Sequence, residues 1–340
     1  MKIYWSDTFN FFSKLTPLRI FNAAQLLVSF YLTKWTKKVF VFGSPMTVSF
    51  EPTTACNLRC PECPSGLRSF TRETGNLKKD FFTRTIDTIS NKLIYLIFYF
   101  QGEPFINPDF LDMVSYANKK GLYTITSTNG HFLNKTNCEK IIESKLDRII
   151  ISIDGLTQST YSAYRKGGQL QTVIDGSKLL VKTKKERKSI TPHIIFQFLV
   201  VKPNEHEIAD LYNLAEEIGI DEVKLKTAQV YDFKYGNELI PTIDKYSRYQ
   251  KKADGTYVVK NKLLNNCWKL WHACVFTWNG VVVPCCFDKD ASHPLGNLSE
   301  CSFEKIWKGK AYDSFRSQLI RGRQNIEICK NCTEGCQVWA

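Results

Sequence analysis

The stretch MTVSFEPTTACNLRCPEC, residues 46–63, joins a strand-like apolar run to a loop in which three cysteines follow at the spacing Cys-x3-Cys-x2-Cys. MTVSFE ends where the polar loop begins. Further apolar runs lie at 94–100 (IYLIFYF), 122–127 (LYTITS), 148–153 (RIIISI), 193–201 (HIIFQFLVV) and 222–226 (EVKLK). Helical patterns near 80–91, 108–120, 136–145, 170–186 and 205–218 separate them. Continuous apolar strands alternating with helices predict a parallel sheet covered on both faces and wound by right-handed crossovers. Six such units predict an α/β fold, a partial (βα)6 barrel with its functional loops at the C-terminal strand ends. The strings in those places are PTTACNLRCPEC, QGEP (101–104), TNG (128–130) and DGLTQ (154–158).

Three explanations compete for Cys56, Cys60 and Cys63. Structural thiols would be buried in the core rather than gathered on a polar loop. Zinc closes with four ligands, and neither this loop nor its neighbours offer a fourth. An iron-sulfur cluster on three thiolates leaves one iron open, which is useful where something else must bind.

The composition fits a soluble globular chain: 340 residues with 46 Lys and Arg against 33 Asp and Glu, net charge +13. Such a charge attracts anionic partners or simply decorates a solvated surface. Aromatic-rich RNA-binding strings are missing, so nucleic acid is not expected. Twelve cysteines without a secretory signal point to thiolate ligands in a reducing compartment, and a cytoplasmic location is expected. IFNAAQLLVSFYLTKW (20–35) is too short and too polar for a transmembrane segment, with Asn22, Gln25, Ser29 and Thr33 in one stripe. It reads as a packed or partner-facing helix. With Lys34, Lys37 and Lys38 behind it, interfacial membrane contact is the other reading.

Residues 39–51 read as two short strands around a Gly-Ser-Pro turn. The expected organisation is an N-terminal extension (1–44), a barrel core (45–230), a linker (231–260) and a cysteine-rich unit (261–340). In that last unit Asn279-Gly280 between apolar runs predicts a type I′ hairpin.

The three-cysteine loop together with QGEP, TNG and SIDG (152–155) resembles the radical S-adenosylmethionine (SAM) superfamily. The resemblance implies a [4Fe-4S] cluster on Cys56, Cys60 and Cys63 whose open iron chelates SAM, and an external donor of flavodoxin or ferredoxin type. It places Gln101, Gly102, Glu103, Asn129 and Ser152 at the cofactor, with Gln101 standing where the family usually has glycine. Asp154, Arg165 and Asp288 are the candidate catalytic groups, with Lys226 a further candidate base. GVVVPC (280–285), LGNL (295–298) and CKNC (329–332) resemble the SPASM or twitch extension, which implies one auxiliary [4Fe-4S] cluster on Cys267, Cys285, Cys329 and Cys332. Cys274 and Cys336 are possible substitutes, while Cys138, Cys286 and Cys301 read as ordinary buried thiols. A zinc ribbon is the competing reading of this half.

The expected function is oxidation of a small or carrier-bound substrate. About 45 residues ahead of the core are too few for an unstapled peptide-binding domain. Modification or crosslinking of a peptide is the alternative, and a non-catalytic zinc or iron-sulfur module is the rival of another class.

Overall fold

The computed structural model describes residues 4–334. Two helices, α1 (Trp5–Ser13) and α2 (Pro17–Thr36), precede strand β1 (Thr47–Phe50) and the short α3 (Pro64–Leu67). The repeating part is α4 (Lys79–Ile89), β2 (Tyr95–Phe98), α5 (Phe110–Lys119), β3 (Tyr123–Thr128), α6 (Lys135–Glu143), β4 (Arg148–Ser152), α7 (Gln158–Tyr164), α8 (Leu170–Glu186), β5 (His193–Val200), α9 (Ile208–Ile218) and β6 (Glu222–Thr227). Then come β7 (Tyr249–Lys251), β8 (Tyr257–Val259), α10 (Lys269–His272), β9 (Ala273–Phe276), β10 (Val281–Val283), β11 (Gly296–Asn297), α11 (Phe303–Trp307) and α12 (Lys310–Gly322).

Strands β1 to β6 pair in chain order, all parallel. Alternation along each strand sorts the side chains. On β2, Leu96 and Phe98 join the main core between sheet and helices, while Tyr95 and Ile97 pack with Ile125, Ile150 and Ile195 in a second cluster. The cysteine-rich unit is not set apart from this sheet. β9 runs parallel to β1, from Thr47 opposite Ala273 to Phe50 opposite Phe276, and β10 and β11 extend the sheet antiparallel. The free edge of β1 is thereby covered. The β9–β10 hairpin forms, but only Gly280 of the Asn-Gly pair has positive φ (87°). The turn is therefore not type I′, which needs both central residues there.

Of the two strands expected in 39–51, only β1 forms. The preceding segment spends its amides on α2: Phe40 N donates to Thr33 Oγ1, Phe42 N to Ser29 Oγ and Ser44 N to Asn22 Oδ1. With its donors satisfied by a helix, that segment has no strand partner to seek. The stretch after β6 is better packed than its polar composition suggests. Phe233 stacks on Tyr249 with ring centroids 4.5 Å apart, and Leu239 and Ile240 share a cluster with Leu58 and Cys60 of the cysteine loop. No described helix is long and apolar enough to cross a membrane.

Candidate active site

The loop from Glu51 to Cys63 leaves the C-terminal end of β1, and Cys63 heads α3. Cys60 is buried, Cys56 and Cys63 half-buried. Burial pushes the Cys56 thiol up to about 11 and raises that of Cys60, where the Arg165 guanidinium works in the opposite direction. Such thiols stay protonated unless a cation offsets the lost solvation, and a bound metal does this directly.

Each cysteine has a polar neighbour from a different strand end or helix end. Asn129, after β3, donates from Nδ2 toward Cys56 Sγ at 3.9 Å. Arg165, which follows α7, points Nη1 at Cys60 Sγ at 3.8 Å. Cys63 Sγ lies 3.9 Å from Gln101 Oε1, after β2. The glutamine that replaces the family's usual glycine thus faces a cysteine.

The QGEP turn is fastened to the cysteine loop. Gly102 N donates to Ser65 Oγ (2.9 Å) and Glu103 N to the Ala55 carbonyl (2.8 Å). Gly102 has φ +74°, and a Cβ there would stand 2.2 Å from the Thr53 carbonyl oxygen, so only glycine fits. The Glu103 carboxylate accepts from Asn129 N and Thr128 Oγ1, both at 2.8 Å. Burial nevertheless holds its pKa up at about 7. A buried carboxylate with unmet demand for positive charge suits an ammonium group.

Asp154 is not placed as a free base. It is fully buried, with Oδ2 on Arg165 Nε and Oδ1 accepting from Leu199 N at 2.6 Å. Its geometry fixes Arg165. Asp288, also fully buried, accepts from Ser292 N, Ser292 Oγ and His293 N, which makes it the anchor of its own loop. Lys226 is exposed. Ser152 closes β4 with its side chain buried.

The structure adds a pair that sequence reading passed over. Lys289 Nζ donates to the Tyr231 hydroxyl at 2.9 Å, and Tyr231 N donates to Glu62 Oε2 inside the cysteine motif at 2.8 Å. Burial pulls the Lys289 ammonium down, opposed by the nearby Cys63, Glu62 and Cys286. No local signal marks either residue, because they meet only when the C-terminal unit folds onto the cysteine loop.

Cys267, Cys285, Cys329 and Cys332 line one pocket walled by Leu270, Pro284, Phe287, Phe315 and Leu319. Burial raises all four thiols. The buried Arg323 sends Nη2 to Cys332 Sγ at 3.2 Å, and its charge lowers Cys267, Cys329 and Cys332. Four thiolates and a guanidinium in an apolar cavity fit an anionic iron-sulfur cluster. Zinc needs sulfurs about 2.3 Å from one point, and among the described residues no three Cys, His, Asp or Glu converge on a single metal ion. Cys274 is not among the residues lining this pocket: it is buried on β9 against Tyr312. Cys336 lies outside the described residues. Cys138 is buried as expected, but Cys286 and Cys301 are exposed, because each sits in a loop rather than a core element.

Comparison with known proteins agrees with this geometry. Residues 50–215 match the radical SAM superfamily model and residues 267–333 match SPASM, an iron-sulfur cluster-binding domain. The chain is 27% identical over 313 residues to the tungsten-containing aldehyde ferredoxin oxidoreductase cofactor-modifying protein of Pyrococcus furiosus, covering 83% of this chain and 86% of that one. It is 24% identical over 317 residues to the PqqA peptide cyclase of Gluconobacter oxydans, covering 87% and 84%. Among solved structures, BtrN in complex with AdoMet and 2-DOIA superposes with a TM-score of 0.53 at 18% identity, over 86% of this chain and 94% of that one.

Proposed function

Because the chain belongs to the radical SAM superfamily and carries a SPASM domain, we propose that it catalyses a two-electron oxidation of a small or carrier-bound substrate. The observation that carries this reading is a single pocket lined by Cys267, Cys285, Cys329 and Cys332 beside Arg323. A centre saturated by protein thiolates has no place to chelate substrate and suits electron transfer. When bound, the cofactors supply a 5′-deoxyadenosyl radical at the three-cysteine loop and an electron acceptor in the four-cysteine pocket.

The chain's own residues then have separate tasks. Cys56, Cys60 and Cys63 hold the open cluster. Glu103 receives the SAM ammonium, Gly102 lets the backbone close on it, and Asn129 and Ser152 border the same space. Arg165, locked by Asp154, presents a fixed cation beside Cys60. Lys289 and Tyr231 stand between the cysteine loop and the C-terminal unit, where a proton leaving the substrate could be taken up. Gln101 covers the Cys63 side.

The placing of the segment before β1 supports the small-substrate reading. The described residues there form two helices packed at the opposite ends of the strands from the cysteine loop. The likeness to a peptide cyclase supports a second reading, a peptide substrate.

The test is anaerobic reconstitution with iron and sulfide, then EPR with and without SAM. Two clusters, about eight irons, with a SAM-sensitive signal are expected. About four irons with bound zinc would remove the electron acceptor and with it the oxidation. A precursor peptide that stimulates deoxyadenosine release would move the substrate to the peptide class.

A further inference from the structure

The N-terminal helices bury most of their polar side chains, with Leu26 and Phe30 beside them on α2, and leave a further apolar face outside. On α2 the polar stripe turns inward: Asn22, Ser29 and Thr33 are buried and hydrogen-bond segment 40–44. Arg19 is 4% exposed and donates to the carbonyls of Ser90, Lys120 and Gly121, which end α4 and α5. On α1, Asp7 pairs with Arg148 and Tyr123, and Asn10 donates to Asp147. Those partners sit at the N-terminal ends of β3 and β4. The polar side chains therefore fasten both helices to the end of the barrel opposite the cysteine loop.

What is left outside is apolar. Trp5 is 63% exposed, Phe9 66%, Phe21 61% and Trp35 72%, with Phe12 and Val28 also exposed. Positions 5, 9 and 12 share one face of α1, and 21, 28 and 35 one face of α2. A soluble chain that turns its polar stripe inward and its tryptophans outward has a partner for that surface. The charge identifies it. Residues 1–50 hold six Lys and Arg and a single acid, Asp7, which is buried and paired. Lys34, Lys37 and Lys38 stand exposed beside Trp35 at the end of α2.

We infer that α1 and α2 form a membrane-docking surface that lies in the headgroup layer of an anionic bilayer, with Trp5, Phe9, Phe12, Phe21, Val28 and Trp35 inserted and Lys34, Lys37 and Lys38 on lipid phosphates. Aromatic residues flanked by lysines are the composition of interfacial helices. A protein interface of this extent would instead be depleted of lysine. Neither helix spans the bilayer, since none described is long and apolar enough. Docked at this end, the barrel keeps its cysteine mouth turned away from the lipid.

The experiment is flotation of the reconstituted full chain with vesicles of phosphatidylcholine alone or with part replaced by phosphatidylglycerol, at low and high potassium chloride. Tryptophan quenching by brominated lipid is the second readout. The chain is expected to float with the anionic vesicles, to be released by salt, and to show quenching. Phe21→Ser with Trp35→Ser should weaken binding roughly tenfold or more, and K34E, K37E and K38E together roughly a hundredfold. Deoxyadenosine formation and melting should be unchanged in both variants. Failure of the unaltered chain to bind anionic vesicles overturns the proposal; if it then self-associates through this face, the occupant is a second copy. Binding that survives both sets of substitutions overturns it too, because the lipid contact would lie elsewhere.

Discussion

The molecule holds two groups of cysteines built on opposite principles. Cys56, Cys60 and Cys63 lie on one short loop, and each faces a polar group delivered by a separate strand end or helix: Asn129, Arg165 and Gln101. Cys267, Cys285, Cys329 and Cys332 come from distant parts of the C-terminal unit and share an apolar pocket with one buried guanidinium. The polar neighbours of the first group suit a polar ligand, as proposed for it. The apolar walls of the second suit a centre that passes charge alone, as proposed for it. Spacing sets the first site; folding sets the second.

That contrast makes the largest expected effect an asymmetry between single cysteines. Cys60→Ala should abolish deoxyadenosine formation while leaving melting nearly unchanged, because the loop rests on its strand. Cys329→Ala should retain SAM cleavage, lose about half of the iron, and lower the melting temperature, since a buried Arg323 then loses a compensating anion. Parallel assays of deoxyadenosine, iron and melting decide it. Equal losses in all three for both variants would mean that the two sites are one cooperative structure.

Gly102→Ala is next. Its methyl would meet the Thr53 carbonyl at 2.2 Å in a backbone region costing roughly 1–3 kcal/mol for other residues. The turn must move away from the cysteine loop, and SAM binding measured by equilibrium dialysis should be lost without unfolding. A wild-type affinity would show that this turn is not where the cofactor is held.

Arg165→Lys sharpens the comparison further. Lysine keeps the charge near Cys60 but loses the planar fork that spans from Asp154 to the sulfur. A drop of roughly tenfold to a hundredfold in turnover is expected, the worth of a charged hydrogen bond, with SAM affinity almost unaffected. A change in affinity alone would make Arg165 a cofactor ligand instead.

The parallel strands and the first site are legible in sequence for one reason: both depend on neighbours along the chain. Strand runs, crossover helices and a Cys-x3-Cys-x2-Cys loop are local patterns. What local patterns do not announce is where backbone and side-chain hydrogen bonds go, whether the partner is near or far along the chain. Residues 39–42 look like a strand but hydrogen-bond to α2. Asp288 stands next to the cysteines in sequence yet is consumed by Ser292 and His293. Lys289 and Tyr231, 58 residues apart, meet only across the folded interface. The union of β9 with β1 likewise joins residues more than two hundred positions apart, and no local pattern announces it.

The smallest expected effect is a pH dependence confined to the first site. Burial raises the Glu103 carboxyl to about 7, against the hydrogen bonds from Asn129 and Thr128 that favour its charge. The unfolded chain would release this proton near 4.5, so between there and 7 the folded state holds a proton that the unfolded state has lost. Stability therefore falls as pH rises through that window, by on the order of 3 kcal/mol. An ammonium group bound at Glu103 reverses this, because it pairs with the charged form. SAM affinity should accordingly increase about tenfold from pH 6 to pH 8, following the ionised fraction of one carboxyl. Glu103→Gln should bind weakly and flatten the profile, while cluster content stays unchanged. The carboxylate that lines the four-cysteine pocket, Glu334, is held below its ordinary value by the Lys269 ammonium against its burial, so it stays ionised and the midpoint potential of that cluster should move little over the same range. A SAM profile that keeps its slope in the glutamine variant would assign the titration to another group and remove Glu103 from the cofactor.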